Sequence, residues 1–417
     1  MDIKGLLKRI DPIVFLCVVY ALWLLNLLSR SEGLVDDFDV FFHSGKRLLN
    51  QENIYGEPHY INLKYFYSPL FSCLMALIQG IDLQVVKVFW FILNSCLLFR
   101  VVRIMYLQVF SKSGMKTAVF LLTMLLTAKI VLINYTFNQI TILILWTVLE
   151  SYHQLKKGNL LWSVIVLCIG INIKILPIVL VPYFLAISGK PLKMLGMGIT
   201  TLLVFTFLPA VFIGYGYNNF LLEEWWKTLN PASSIHAVQV YEYGLLDAGA
   251  MISKYLSDKE VYLEPVLNIA SLPDAAVFAI TNSLRVALLI MAVVFAIRMK
   301  QSINGIQAHF LSMAMFMTLV PLCFPHQREY SYLFYLPMIA INLTFAFKYK
   351  QVIPIICFVF TVLLGGLLTW VDFVGKPVVD VFVYYRLVTM GMLLMMLFSF
   401  FYWQYLQKRE LLLKDME

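Results

Sequence analysis

Three carboxylates, Asp36, Asp37 and Asp39, fall within four residues directly after the first long apolar run. Like charges this close repel one another, and burial against lipid adds to the cost of ionisation, so at least one is expected to hold its proton unusually tightly. A carboxylate of that kind at a membrane face suits a general base. The same acids also fit an ordinary flank outside a first membrane span. Lys174 stands in Ile-Asn-Ile-Lys-Ile-Leu-Pro, an apolar run broken by Asn172 and Pro177. An ionisable residue within a membrane segment is costly and marks a functional site by default. Pro177 interrupts the helix and frees backbone groups, and a cation at such a break suits a phosphate. The other reading is a lysine snorkelling to the interface between two separate spans.

A second polar group, His326, Arg328 and Glu329, lies in a turn between two apolar runs, where it could bind a phosphate or a sugar hydroxyl. Asn138 and Gln139 form a polar pair in apolar surroundings and fit either a site or a helix connection. Tyr67, with Tyr65 and Pro69, opens a later apolar run in the manner of an interfacial anchor. No phosphate-binding loop, zinc-protease motif or serine-hydrolase elbow is present. No soluble α/β segment exists to form a nucleotide-binding sheet, so a transferase of this type would take its donor from the membrane. The six cysteines lie in or beside apolar runs without metal-ligand spacing, as buried free thiols do.

The elements that must position these residues are membrane helices. Of 417 residues, 61% are hydrophobic and 13% charged, about half the charge of a soluble domain. Runs long enough to cross roughly 30 Å of hydrocarbon recur along the chain, and they are continuous rather than alternating, so the expected fold is all-α and polytopic. The net charge of +8 comes from basic residues scattered at the ends of apolar runs, the positive-inside pattern, and does not point to nucleic acid. Lys4, Lys8 and Arg9 place the N-terminus inside, and the run at 12–28 reads as an uncleaved first span. Further runs are expected at 65–81, 83–110, 118–134, 140–152, 160–187, 195–214, 275–297, 306–324, 329–347, 352–370 and 382–405. Read with 160–187 as one broken span, they give about twelve crossings with both termini inside. That reading leaves Lys112, Lys116, Lys156 and Lys157 outside, against the rule; splitting the run at Lys174 brings them inside but reverses the second and third spans. Segment 29–64, with Val40, Phe41, Leu48 and Leu49 in amphipathic spacing, and the stretch from Leu245 to Lys254 read as surface helices, with Trp225 and Trp226 as interfacial anchors. The expected organisation is an N-terminal module at 1–214, an outer loop at 215–274 and C-terminal helices at 275–417, with no internal repeat.

The order of these segments resembles glycosyltransferase family 87. The residues that carry the resemblance are Asp37-Phe38-Asp39-Val40-Phe41-Phe42, Asn53-Ile54-Tyr55-Gly56, Tyr67-Ser68-Pro69-Leu70, Trp90 with Asn94, Asn138-Gln139, Lys174-Ile175-Leu176-Pro177 and Pro325-His326. Family members are enzymes of the GT-C fold, similar to polyprenol-phosphate-mannose-dependent α-mannosyltransferases. The resemblance implies Asp37 as the catalytic base, with Lys174, His326 and Arg328 at the phosphate of a polyprenyl-phosphate sugar. Asp36, Asp39, Tyr67, Asn138, Gln139 and Glu329 would line the sugar and acceptor. It implies transfer to a lipid or glycan acceptor in a cell-envelope membrane, with no nucleotide and no metal, although the three aspartates keep a hard divalent cation open. The chain departs from the family pattern where Ile140 and Thr141 follow Asn138-Gln139 and where His326 stands as a single histidine. A lipid-linked sugar flippase or a polysaccharide polymerase would also need many spans and outer loops. A secondary transporter would place charges in several spans, where the sequence offers Lys174.

Overall fold

In the computed structural model the apolar runs become helices, and there is no strand among the described residues. The structure describes residues 36–56, 64–110, 117–230, 244–260, 264–299, 305–365 and 369–414. The expected first span at 12–28, the basic N-terminal flank, Lys112 and Lys116 lie outside them.

Helix α1 (Asp37–Leu49) starts on a reciprocal cap. Asp36 Oδ1 accepts from the N–H of Phe38 and Asp39 at 2.9 and 3.3 Å, and Asp39 Oδ2 accepts from the Asp36 N–H at 2.9 Å. This satisfies donors that a helix start otherwise leaves orphaned. The expected surface helix thus forms, but its apolar face is buried by protein: Phe38 and Phe41 pack with Tyr67, Phe71 and Trp90. Gly45 brings α1 against the backbone of α2 (Pro69–Ala76), where an added Cβ would lie 2.6 Å from Ala76 N.

α2 has eight residues, about 12 Å of helix, and cannot cross 30 Å of hydrocarbon. The expected span at 65–81 is therefore not a crossing. The chain turns after Ala76, Gln79 Nε2 donates to Phe42 O at 2.7 Å, and Asp82 caps the next helix, so both ends of α2 stay beside α1. From there α3 (Leu83–Met105) runs away, and α4 (Thr117–Thr136) returns to place Phe137 O against the Asp37 N–H at 3.3 Å. α5 (Thr141–Lys156) leaves again, tied to α3 by the Arg100–Glu150 ion pair at 2.7 Å. α6 (Leu160–Ile173) comes back to Ser68, whose N–H donates to Ile173 O at 3.3 Å. Beyond Lys174 a 3-10 turn (Leu176–Leu180) and α7 (Val181–Ile187) turn back, and Tyr183 donates to His309 O.

The 160–187 run is thus two helices rather than one broken span. Among the described residues, one expected crossing is lost at α2 and one gained at Lys174. The runs at 83–110, 118–134 and 140–152 reverse direction, which carries Lys156 and Lys157 to the face opposite α1.

α8 (Pro191–Phe207), prolonged by Ala210–Ile213, leads to α9 (Tyr215–Leu229), which lies against the segment after α1. Asn53 Nδ2 donates to Glu224 Oε2 at 3.2 Å, and Trp225 Nε1 donates to Phe66 O at 3.3 Å. α10 (Ala248–Leu256) forms where the second surface helix is expected, yet Ala248, Ala250, Ile252, Ser253 and Lys254 are all buried. A charged knot holds it in place: Glu264 pairs with Lys254 at 3.1 Å and with the fully buried Arg386 at 3.0 Å.

The remaining helices are α11 (Asp274–Met299), α12 (Gly305–Met317, continued by Leu319–Cys323), α13 (Leu336–Lys348, entered through a 3-10 turn, Glu329–Tyr335), α14 (Val352–Gly365), α15 (Lys376–Tyr384) and α16 (Leu387–Lys414). α12 and α13 form the buried centre, and Asn342 ties α13 to Ser399 and Trp403 of α16 by hydrogen bonds that lipid cannot supply. Among the described residues six helices are long and apolar enough to cross a membrane, including Leu83–Val109, Pro191–Ile213 and Asp274–Met299, and four further apolar helices are shorter. The chain is a multi-pass membrane protein.

Candidate functional site

The site forms where α1, the α4–α5 turn, the break at Lys174 and the turn after Cys323 meet on one face of the helix bundle. Its frame begins at the end of α4. Asn138 adopts a left-handed backbone (φ 47°), with Asn138 N–H donating to Tyr135 O at 3.0 Å and Gln139 N–H to Asn134 O at 2.8 Å. This is the paired bonding of a Schellman cap, in which asparagine tolerates the left-handed position. Asn138 is therefore a helix connection, and more than that: its Nδ2 donates to Asp36 Oδ2 at 2.7 Å and its carbonyl accepts from Trp90 Nε1 at 3.0 Å.

The three aspartates part company here. Asp36 and Asp39 are buried and paired with Lys87, whose Nζ lies 3.1 Å from Asp36 Oδ2 and 2.8 Å from Asp39 Oδ1. Together with the cap, every oxygen of these two carboxylates has a partner. Asp37 is partly buried between them, and among the described residues nothing hydrogen-bonds its carboxyl. Burial pushes the Asp37 carboxyl up to about 6; Lys174 and Arg328 pull it down, and Asp36 and Asp39 push it further up. A carboxylate held near neutrality is poised to accept a proton at physiological pH.

Lys174 ends α6 in extended backbone (φ −145°, ψ 119°), and its Nζ sits 5.3 Å from the centre of the Tyr67 ring, within cation–π range. Ser68 fixes this junction by donating to Asn172 Oδ1 at 3.0 Å while it caps α2. The sequence left Lys174 open between a snorkelling residue and a functional cation. The split puts Lys174 at a helix end, and from there its charge acts on Asp37.

His326 has a left-handed backbone (φ 57°), a costly conformation outside glycine, and its ring lies 5.1 Å from Phe66. Arg328 is exposed and acts on Asp37 electrostatically. Glu329 is engaged elsewhere: Lys129 of α4 pairs with its carboxylate, and Thr369 Oγ1 donates to it at 2.6 Å. Gln139 is buried, and among the described residues neither side-chain amide atom has a hydrogen-bond partner, so its donor and acceptor capacity is unspent there. The structure thus brings Asp36, Asp37, Asp39, Tyr67, Asn138, Lys174 and Arg328 to one place. Phe66 links His326 to the same strand of chain, and Glu329 serves the neighbouring helix contact.

Lys87 and Lys129 went unnoticed in the sequence. Each interrupts an apolar run, as Lys174 does, and that expense was the available signal. Among the described residues no group of three or more His, Cys, Asp or Glu is arranged to hold a metal ion.

Comparison with known proteins adds one match. No curated protein and no solved structure resembles the chain closely enough to be matched. The sequence profile of glycosyltransferase family 87 matches residues 65–325, more than half of the chain, and takes in Tyr67, Asn138, Gln139 and Lys174. It begins after α1 and ends before His326, so Asp37 joins the matched region through contact in space. A helical bundle of membrane length, together with a profile match across most of its spans, makes this chain a member of glycosyltransferase family 87 and a membrane glycosyltransferase.

Proposed function

We propose that the enzyme transfers a sugar, mannose first among candidates, from a polyprenyl-phosphate donor to a lipid or glycan acceptor, with inversion and with Asp37 as general base. The observation that carries this reading is the Asp37 carboxylate, without a hydrogen-bond partner among the described residues, facing Lys174 at a break between membrane helices. The acceptor O–H gives its proton to Asp37 as its oxygen attacks the anomeric carbon from the face opposite the donor phosphate. The bond from the anomeric carbon to the phosphate oxygen breaks, and its electron pair leaves on the lipid phosphate. Lys174, Arg328 and His326 offset that growing charge, an electrostatic contribution strongest where water is excluded.

Asp36, Asp39 and Glu329 already have partners within the protein and keep the frame. Asn138, Gln139 and Tyr67 supply polar walls for sugar hydroxyls. In this reading the 1–214 module contributes the base and Lys174, while the 275–417 helices contribute His326 and Arg328 across the 215–274 loop. Sidedness follows from charge: Arg100, Arg103, Lys156, Lys157, Lys190 and Lys193 gather at the face away from the site. With the positive-inside rule this supports reading the site on the outer face, and the proposal takes the membrane as the plasma membrane with cytoplasmic termini.

The test is transfer of label from radiolabelled polyprenyl-phosphate mannose to an acceptor lipid extract by purified protein in lipid. Transfer by the wild type and its loss in Asp37→Asn support the reading. No transfer from mannose or arabinofuranose donors by a folded sample would overturn it in favour of a flippase or polymerase.

A further inference from the structure

We propose that Lys87 is a positioning residue that selects Asp37 from the three acids of the site, by holding Asp36 and Asp39 in a double ion pair and so leaving Asp37 alone to accept the substrate proton. This inference rests on the reading of Asp37 as the base.

The geometry divides the work atom by atom. Asp36 gives Oδ1 to the helix cap and Oδ2 to Lys87 and Asn138; Asp39 gives Oδ2 to the Asp36 N–H and Oδ1 to Lys87. A single ammonium thus balances two buried carboxylates. Lys87 comes one turn after the Asp82 cap of α3, on the face that meets α1, and Trp90 one turn further on packs against Phe38. A cation within the apolar first half of this helix is expensive unless it is paired, and both of its partners flank Asp37. Among the described residues, the charged and titratable groups acting on Asp37 are Asp36 and Asp39 from its own helix start, Lys174 from the α6 break, Arg328 from the turn after Cys323, and the Tyr67 hydroxyl. Removing Lys87 would leave two uncompensated negative charges beside the base.

The experiment is the pH dependence of sugar transfer in lipid for the wild type, Lys87→Met, Lys87→Arg and the Asp36→Asn/Asp39→Asn pair. Lys87→Met should move the acid limb of the rate profile up by about one pH unit, a roughly tenfold loss below the limb, with the rate recovering at alkaline pH. Lys87→Arg should restore the limb. The asparagine pair, which keeps the caps but removes two negative charges, should move it down, and it carries the test alone if Lys87→Met does not fold. A limb that stays put in Lys87→Met while the rate falls equally at every pH, or one that fails to move down in the asparagine pair, overturns the inference. Asp37→Asn separates the two claims: an active variant sinks the base and this inference together, whereas an inactive one with an unmoved limb in the other variants sinks this inference alone.

Discussion

Replacing Asp37 by asparagine is expected to stabilise the folded protein while silencing it. Burial raises the carboxyl from 3.8 to about 6, so the native state binds this proton about two units more tightly than the unfolded chain does. Each unit is worth about 1.4 kcal/mol, which sets the cost of an ionised Asp37 at about 3 kcal/mol above pH 6. A raised carboxylate destabilises the fold as pH climbs through the unfolded and then the folded pKa. The cost is therefore below about 1 kcal/mol at pH 4, grows between pH 4 and 6, and is complete by pH 7. Asparagine has the same shape and no charge to desolvate. Thermal unfolding in lipid nanodiscs, followed by tryptophan fluorescence, should show Asp37→Asn melting several degrees above wild type at pH 8 and close to it at pH 4. Transfer activity should fall by roughly 10²–10⁴, the usual contribution of a general base. A variant that melts lower at pH 8, or that gains the same stability at both pH values, would refute the argument from desolvation. Strain kept at a working site is commonly offset by packing elsewhere.

Other outcomes follow from neighbouring contacts. Lys174→Gln removes the cation facing Asp37 and should reduce kcat/KM for the lipid donor by about 10²-fold or more; unchanged donor kinetics would detach Lys174 from the phosphate. Lys129→Met leaves Glu329 without its ion-pair partner and should cost about 3 kcal/mol, read as a drop in melting temperature that a second change, Glu329→Gln, partly restores. Gly45→Ala pushes a methyl into the α2 backbone 2.6 Å away. Since backbone cannot swing aside, the expected cost is about 1–3 kcal/mol, together with a loss of transfer as α1 shifts Asp37; full activity would mean that α1 can slide without consequence.

Much of the site was legible because membrane sequences advertise their exceptions. The group Asp36, Asp37 and Asp39 and the lone Lys174 stood out against apolar surroundings, although the choice of Asp37 among the three came from the family resemblance. The structure brings Asp37 and Lys174 within electrostatic reach of each other. Asn138-Gln139 announced itself as a polar pair, although only the Schellman cap and the bond to Asp36 explain why an asparagine suits that turn. The roles of Asp36, Asp39 and Glu329 were not legible. Each depends on a lysine elsewhere in the chain, Lys87 or Lys129, and the Lys129–Glu329 pair joins residues 200 positions apart.

Hydropathy by itself determined that the chain is a helical membrane protein, because a run of apolar residues can satisfy its backbone in lipid only by coiling. It also located the acidic turn and the lysine at the proline break, since a charge beside or within hydrocarbon is too costly to arise without cause. Only the tertiary structure decided the path between them. The length of an apolar run does not say whether it crosses or turns back. The 65–81 run stops at eight helical residues because Ser68 and Asp82 cap the helices on either side of the turn and Gly45 lets α1 lie against it, while the 160–187 run divides at Lys174. Nor could spacing say which of three adjacent acids is free. In the structure Lys87 reaches two of them, and the third faces Lys174 and Arg328.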